Sequence, residues 1–485
     1  MIASNCYTCK QLHGNLRSEN PVPLWLLWWS ALQLVRPAFT RLRTFMWFAA
    51  AVAGFTVRTE LLGVTSIARA LKLRKKGYES LIRNLHSSAV RLDELSALWT
   101  QAVLRLFPSP LRVNDRLVLV GDGIKVPKRG QKMPGVKLLH QQSENKAEYI
   151  RGHSLQALSI LVHAVGSVLA VPLTIHIDEG LVRSNRDRRT LLDKMLGLLK
   201  IVAVQDPFYL VADAYYAAGK IAKGLLKQNN HLITRVKSNA VAFTPYVARG
   251  PKQRGRPRLY GQKIALRTLL NETTEMQQAQ SPVYGEQKIT LNYLVRDLLW
   301  RSTGQLVRFV VVIHPSRGSI FLMSTDITLS AIDIIRTYGL RFKIEHTFKQ
   351  AVRQIGTFSY HFWLKDMKPR KHRDGDQYLH RESQSYRDGV ERKMNAYHLF
   401  IQAGAISQGL LQYLAAVAPE QVWRSFGSWL RTIRPGVAPS ELVVATALRQ
   451  SLPEFLLNCP KKATIAKFIL DRQDRETVEM FNIAS

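Results

Sequence analysis

Two hydrophobic rhythms divide the chain, and the change falls near Arg116. Upstream, apolar residues recur at helical spacing through PLWLLWWSALQL (23–34), FMWFAAAVAGFTV (45–57), TSIARALKL (65–73) and LDELSALWTQAVLRLF (92–107), so residues 24–107 read mostly as helices. Thr65 or Ser66 is placed to cap the third of these. Downstream, short apolar runs end at turn residues. RLVLVGDGI (116–124), ALSILVHAV (157–165), SVLAVPLTIHI (167–177), FYLVADAYYA (208–217) and HLITRVK (231–237) predict buried strands, the second and third joined as a hairpin at Gly166. TLLDKMLGLLKIV (190–202) and GKIAKGLLKQ (219–228) keep helical spacing between them. This order predicts an α/β sheet with an antiparallel portion.

Past 240 the pattern turns to strands again. RGPKQRGRPR (249–258) is a basic Pro/Gly-rich loop, and KIALRTLL, QKITLNYLVR, LVRFVVVIH and SIFLMSTDI follow as strand candidates. LSAIDIIRTYGLRFKIEHTFKQAVRQ (329–354) reads as helix, bent near Gly339. DMKPRKHRDGDQ (366–377) is a polar linker, and residues 392–430 return to amphipathic helix.

Charge narrows the partners. Lys and Arg number 69 against 35 Asp and Glu, a formal net charge of +34 in a chain whose 46% apolar content is ordinary for a folded protein. Such an excess suits nucleic acid or an anionic membrane surface. A membrane is the weaker candidate, because the apolar segments at 23–34 and 45–57 are shorter than the roughly 20 residues a spanning helix needs and Arg36, Arg41 and Arg43 separate them. Residues 1–20 lack the charged start and apolar run of a signal peptide. Three cysteines fit a reducing cytosol and no disulfide framework. Cys6 and Cys9, with His13 nearby, fall short of a zinc ligand set and read as part of a frayed terminus.

Candidate chemistry lies in the acids that end apolar strands. Asp122 follows LVLVG and Asp213 follows YLVA, so each carboxylate is delivered by a buried backbone to the rim of the sheet. A carboxylate there is costly unless paired or metal-bound. In TYGLRFKIEHTFKQAVRQIG (337–356), Glu345 is one acid among Arg341, Lys343, Lys349 and Arg353. At about 100° per residue, Tyr338, Arg341, Glu345 and Lys349 share one helical face. Asp122, Asp213 and Glu345 together form a hard-oxygen set suited to two Mg²⁺ ions, with Mn²⁺ as a substitute. Two such ions serve phosphodiester cleavage.

VGDGIKVP, the Gly-His of RGHSLQALSILV, LVADAYYAAG and STDITLSAIDIIRTYGLRFKIEHTFK together resemble the DDE transposases of bacterial insertion sequences. Within them the chain is similar to the group with a Y-x2-R-x3-E-x6-K helix, over roughly residues 116–365. Tyr338, Arg341 and Glu345 match that motif, whereas its final Lys falls on Val352, and Lys349 is the cation expected in its place. The resemblance implies a ribonuclease-H-like mixed sheet interrupted by a β-rich insertion and flanked by helical N- and C-terminal regions. The corresponding divisions are a helical DNA-binding region at 1–112, the catalytic core at 113–240 and 319–365, the insertion at 241–318, and a helical region at 366–485. It also implies a base-stacking role for Trp300, the one tryptophan between Asp213 and Glu345.

Further DNA contacts are expected at Lys125, Lys128, Arg129 and Lys132, close after Asp122, and at Arg254 and Arg256, whose RGRPR setting suits an A·T-rich minor groove. The function expected is a cytoplasmic transposase acting in the bacterial nucleoid. It would bind double-stranded DNA at transposon ends and target, as a homodimer, and cleave and join strands with two metal ions. A transposase-derived DNA-binding protein without catalytic activity is the alternative.

Overall fold

The computed structural model describes residues 23–141, 147–247, 258–283, 285–427, 432–434, 436–458 and 463–474. The motif at Cys6, Cys9 and His13, and the RGRPR arginines Arg254 and Arg256, lie outside them.

At the centre is a 13-stranded sheet. Its strands here are β1 (Arg112–Val113), β2 (Arg116–Pro127), β3 (Lys137–His140), β4 (Tyr149–Ala164) and β5 (Ser167–Ile177), then β7 (Phe208–Ala212) and β8 (His231–Val236); a short β6 (Leu181–Val182) pairs elsewhere. β2, β4 and β5 are antiparallel, while β7 and β8 run parallel to β2. The lateral order β5-β4-β2-β7-β8 is that of a ribonuclease-H-like core. Its strands read as continuous apolar runs because both faces are covered: Leu117, Val118, Leu119 and Val120 are fully buried.

The sheet continues into the β-rich segment through β9 (Val241–Pro245), β10 (Tyr260–Ala265), β11 (Gln277–Gln280), β12 (Thr290–Trp300), β13 (Gln305–His314) and β14 (Gly318–Ser324). β14 pairs antiparallel with β8, so insertion and core share one hydrogen-bonded surface. KIALRTLL is strand only to Ala265 and then a 3₁₀ turn, Leu266–Asn271. The hairpin at 164–167 turns at Gly166 with φ of 65°.

The helices Leu24–Gln33 and Leu42–Val57 are buried almost throughout, which accounts for their all-round apolar sequences. Among the described residues no helix is long and apolar enough to cross a membrane. Thr65 and Ser66 do not cap: the helix begins earlier, at Gly63–Ala70, and the Ser66 hydroxyl donates back to Gly63 O. The helix expected over 392–430 is present as two, Gln384–Val417 of 34 residues and the short amphipathic Pro419–Phe426. The second half of the longer one is buried on every side between the sheet and the N-terminal helices.

Arg58 ties these layers together. Its guanidinium is 2% exposed and donates to Ile355 O at 2.6 Å, Gly356 O at 2.9 Å and Gly63 O at 3.0 Å. Burial lowers its pKa to about 9. Gly356 has φ of 70°, and a Cβ there would sit 2.5 Å from the Arg58 guanidinium, so only glycine serves. The clamp fixes the chain just beyond the Glu345 helix.

Candidate active site

The sheet register brings the first two acids together. β2 and β7 pair in parallel up to Gly121↔Ala212, so the next residues on the two strands are Asp122 and Asp213. Asp213 stands at the carboxyl end of its strand, where open α/β sheets bind ligands. Asp122 does not end β2 as expected, because β2 runs on to Pro127 and pairs Asp122 with Ala157 of β4, and only its pairing with β7 stops just before Asp122. Gly121 keeps this packing tight, since a Cβ there would lie 3.3 Å from Leu210. Asp213 ends its strand by accepting from Tyr215 N at 3.0 Å, which starts a 3₁₀ turn.

The third acid comes from a helix packed across β5 and β2. The bend expected near Gly339 is present: the helix Ala331–Gly339 ends there, and Phe342–Gln350 begins after Leu340 and Arg341. Gly339 is needed for close approach, because Val283 would lie 3.3 Å from its Cβ. The second helix passes into a π-helical turn, Ala351–Ile355. Thr347 anchors it by donating to Ala170 O of β5 at 2.8 Å.

Arg341 joins the acids. Its guanidinium donates to Asp122 Oδ2 at 2.9 Å and to Glu345 Oε1 at 2.6 Å. Asp122 and Arg341 side chains are 16% and 19% exposed, whereas Glu345 is 55% exposed. Burial pushes the Asp122 carboxyl up to about 6; Arg341 and the Gly123 N–H oppose the rise, and the Asp213 and Glu345 carboxylates add to it. The three acids therefore act on one another, but they do not yet form a ligand set. Among the described residues no group of three or more His, Cys, Asp or Glu is gathered closely enough to hold a metal ion. Arg341 bridges Asp122 and Glu345, while Asp213 accepts from Tyr215 N, so the expected convergence of the three carboxylates is incomplete. The donors nevertheless fit a hard divalent cation in kind: three carboxylates, one of them raised chiefly by burial and further by its like-charged neighbours.

Tyr338 faces the same site. Burial raises its hydroxyl, while Arg341 and Arg235 lower it, so both cations are near it. Arg235 is not among the sequence candidates. It is the one exposed position in the strand His231–Val236. Arg235, Tyr338 and Arg341 border a 530 Å³ cavity between the insertion strands and the Ala331–Gly339 helix.

The basic candidates divide. Lys125 and Arg129 are exposed, and Lys125 donates to His140 O. Lys132 donates to Lys365 O at 2.8 Å. Lys128 is corrected: it is 5% exposed, donates to Phe358 O and Tyr360 O, and lies 3.5 Å above the Tyr360 ring. Burial pushes its ammonium down to about 7. Lys128→Met is accordingly expected to leave the salt dependence of DNA binding unchanged, read as the log–log slope of a titration; a slope lowered by about one would return Lys128 to the phosphate contacts. Trp300 is corrected too. It closes β12, is 9% exposed and packs in the core, so it offers no face to a base. His153 is equally structural, held between Tyr360 Oη at 2.7 Å and Pro134 O at 2.8 Å.

Lys349, Val352 and Arg353 are all exposed. Lys349 stays one α-helical turn beyond Glu345, whereas Val352 and Arg353 lie in the π turn, which shifts them from the register of a uniform helix.

No curated protein matches the chain. A solved structure, a cryo-EM piggyBac transposase synaptic complex with hairpin DNA, is 10% identical, with a TM-score of 0.36 over 96% of this chain and 81% of that one. The family model described as DDE superfamily endonuclease matches residues 35–304, a span that includes Asp122 and Asp213 and stops before Glu345. With more than half its length inside that match, the chain belongs to the DDE superfamily endonucleases.

Proposed function

We propose that the protein is a DNA transposase of a bacterial insertion sequence, which binds the terminal inverted repeats of its element, cleaves there and joins the freed 3′-OH to target DNA. The observation that carries this reading is the placing of Asp122 and Asp213 on adjacent strands where the β2–β7 pairing stops, with Arg341 joining Asp122 to Glu345. Asp122, Asp213 and Glu345 would hold two Mg²⁺ ions, or Mn²⁺ in their place. When bound, such ions supply an activated water and charge neutralisation at the leaving oxygen.

The remaining work belongs to the chain. Phosphoryl transfer needs alignment and charge stabilisation more than covalent help, so no protein nucleophile is required. Arg341, once its carboxylates have another cation, offers a bidentate fork for a phosphate. Tyr338, an ordinary phenol at neutral pH whose pKa burial raises further, keeps its proton and can donate to a second phosphate oxygen. Lys125, Arg129 and Lys349 are exposed cations for the flanking backbone. Two DNA ends must meet, so the working form is a homodimer on DNA.

The test is direct. The full chain, incubated with Mg²⁺ and duplex DNA bearing the inverted repeats that flank its own gene, should release a 3′-OH at the repeat boundary. Tight binding with no cleavage in either Mg²⁺ or Mn²⁺ would leave a DNA-binding protein without catalysis.

Lys349 carries a separate expectation. Lys349→Ala should lower the log–log salt slope of end binding by about one, the loss of one phosphate contact. Arg353→Ala should do less, since the π turn displaces it. A salt titration decides, and a larger effect from Arg353 would reverse the assignment.

A further inference from the structure

A second basic cleft lies away from the carboxylates. It measures 810 Å³ and is bordered by Leu62, Tyr78 and Arg83 of the N-terminal helices, by His361 and Trp363 of the segment after the π turn, and by Lys393. Trp363 is 61% exposed, while every other tryptophan among the described residues is at most 9% exposed. Tyr78 and Leu62 beside it are 38% and 61% exposed. Large apolar faces left in water are informative when they gather in one place.

The exposure is built in. Lys128 holds Phe358 O and Tyr360 O from below. Tyr397 Oη donates to Phe362 O at 2.8 Å, and Leu364 N donates to Lys132 O at 3.0 Å. Phe362 is packed on Tyr397 with ring centroids 5.1 Å apart. The backbone on both sides of Trp363 is thus fixed, and the indole is presented outward by a pinned support.

The cations around it lack acidic partners. Among the described residues neither Arg83 nor Lys393 forms an ion pair; Lys393 instead lies 2.8 Å from His86 Nε2, whose other ring nitrogen bonds Ile82 O. Glu79 is the one carboxylate in the lining. A rigid exposed indole beside cations without carboxylate partners matches the chemistry of an unpaired nucleotide: an aromatic face for the base and ammonium or guanidinium donors for phosphate.

We propose that this cleft holds an unpaired base of single-stranded DNA, stacked on Trp363, with Arg83 and Lys393 on the neighbouring phosphates. The assignment rests on the reading that the protein works on DNA, and it supplies the strand-holding site that Trp300 cannot.

The experiment uses the full chain, a labelled twelve-residue oligo-dT for anisotropy, and the same strand with a central 2-aminopurine to report stacking. Wild type should bind and quench the 2-aminopurine. Trp363→Ala should weaken binding by about tenfold or more and lose the quench, as removal of a stacking platform does, while Trp363→Phe keeps most of both. Arg83→Ala with Lys393→Ala should lower the salt slope by about 1.4, two contacts at about 0.7 each for a single strand. Wild-type cleavage of terminal-repeat DNA, measured in parallel, separates failure of the cleft from failure of the cleavage reading. Binding and quenching by Trp363→Ala within twofold of wild type overturn the proposal. So does a wild-type chain that ignores oligo-dT but self-associates through Trp363 in sedimentation, which would assign the face to a second copy.

Discussion

Asp122→Ala, Asp213→Ala and Glu345→Ala will each lower strand cleavage by on the order of 10³-fold, the loss seen when one preorganised group leaves a charge-stabilising site. Affinity for terminal DNA will stay nearly unchanged. The asymmetry follows from where the charges are. Binding draws on an excess of +34, so no single acid governs it, whereas the proposed metal set has no spare carboxylate. Glu345→Ala is the most informative of the three. Asp122 and Asp213 fall inside the family match at 35–304, but Glu345 rests on its link through Arg341 alone. Cleavage of end-labelled repeat DNA with Mg²⁺, beside a gel-shift titration, separates the two readouts. A variant that cuts at near wild-type rate removes its residue from the site.

The contrast between Lys128 and Asp122 shows what a sequence can carry. Asp122 was legible because the run before it, LVLVG, is too apolar to be anything but a buried strand, and Asp122 is the first residue past that buried run, although the strand itself continues to Pro127. The same logic gave Asp213, and both come from a local pattern. Lys128 and Trp300 needed tertiary knowledge. Nothing near KVPKRG reveals that Phe358 and Tyr360, more than 200 residues away, fold over that lysine. Helical spacing brought Tyr338, Arg341 and Glu345 to one face and so anticipated that they cooperate. It could not show that Arg341 would pair with Asp122 across 219 residues, or that a π turn would reset the register after Gln350. Short strands such as Lys137–His140 escaped because four residues carry too little pattern. Arg235 escaped because a single charge in an otherwise apolar strand carries no pattern of its own.

Asp122→Asn should make the protein more stable while it stops cleavage, and the gain should depend on pH. The Asp122 carboxyl, raised from 3.8 to about 6 by burial, binds its proton more tightly folded than unfolded. Its contribution to stability is therefore complete below about pH 4 and is lost as pH rises through about 6. The rise corresponds to on the order of 3 kcal/mol. Asn is neutral at every pH and avoids that loss. It forfeits one contact, because Asp122 accepts from Gly123 N on one oxygen and from Arg341 on the other, and an amide has a single acceptor. That costs about 1 kcal/mol. The variant should match or fall slightly below wild type at pH 4, then exceed it by about 2 kcal/mol at pH 8. Urea melts across this range measure the difference directly, and a gap that does not widen between pH 4 and pH 7 would mean that Asp122 is not strained by its surroundings. Added Mg²⁺ sharpens the result. An ion that binds only the folded state stabilises it by mass action, so Mg²⁺ should raise the midpoint of wild type and do so far less for Asp122→Asn. Stability given up in the free protein and recovered on cation binding is what a buried carboxylate kept for a metal would produce, and a purely structural Asp122–Arg341 pair would show no such recovery.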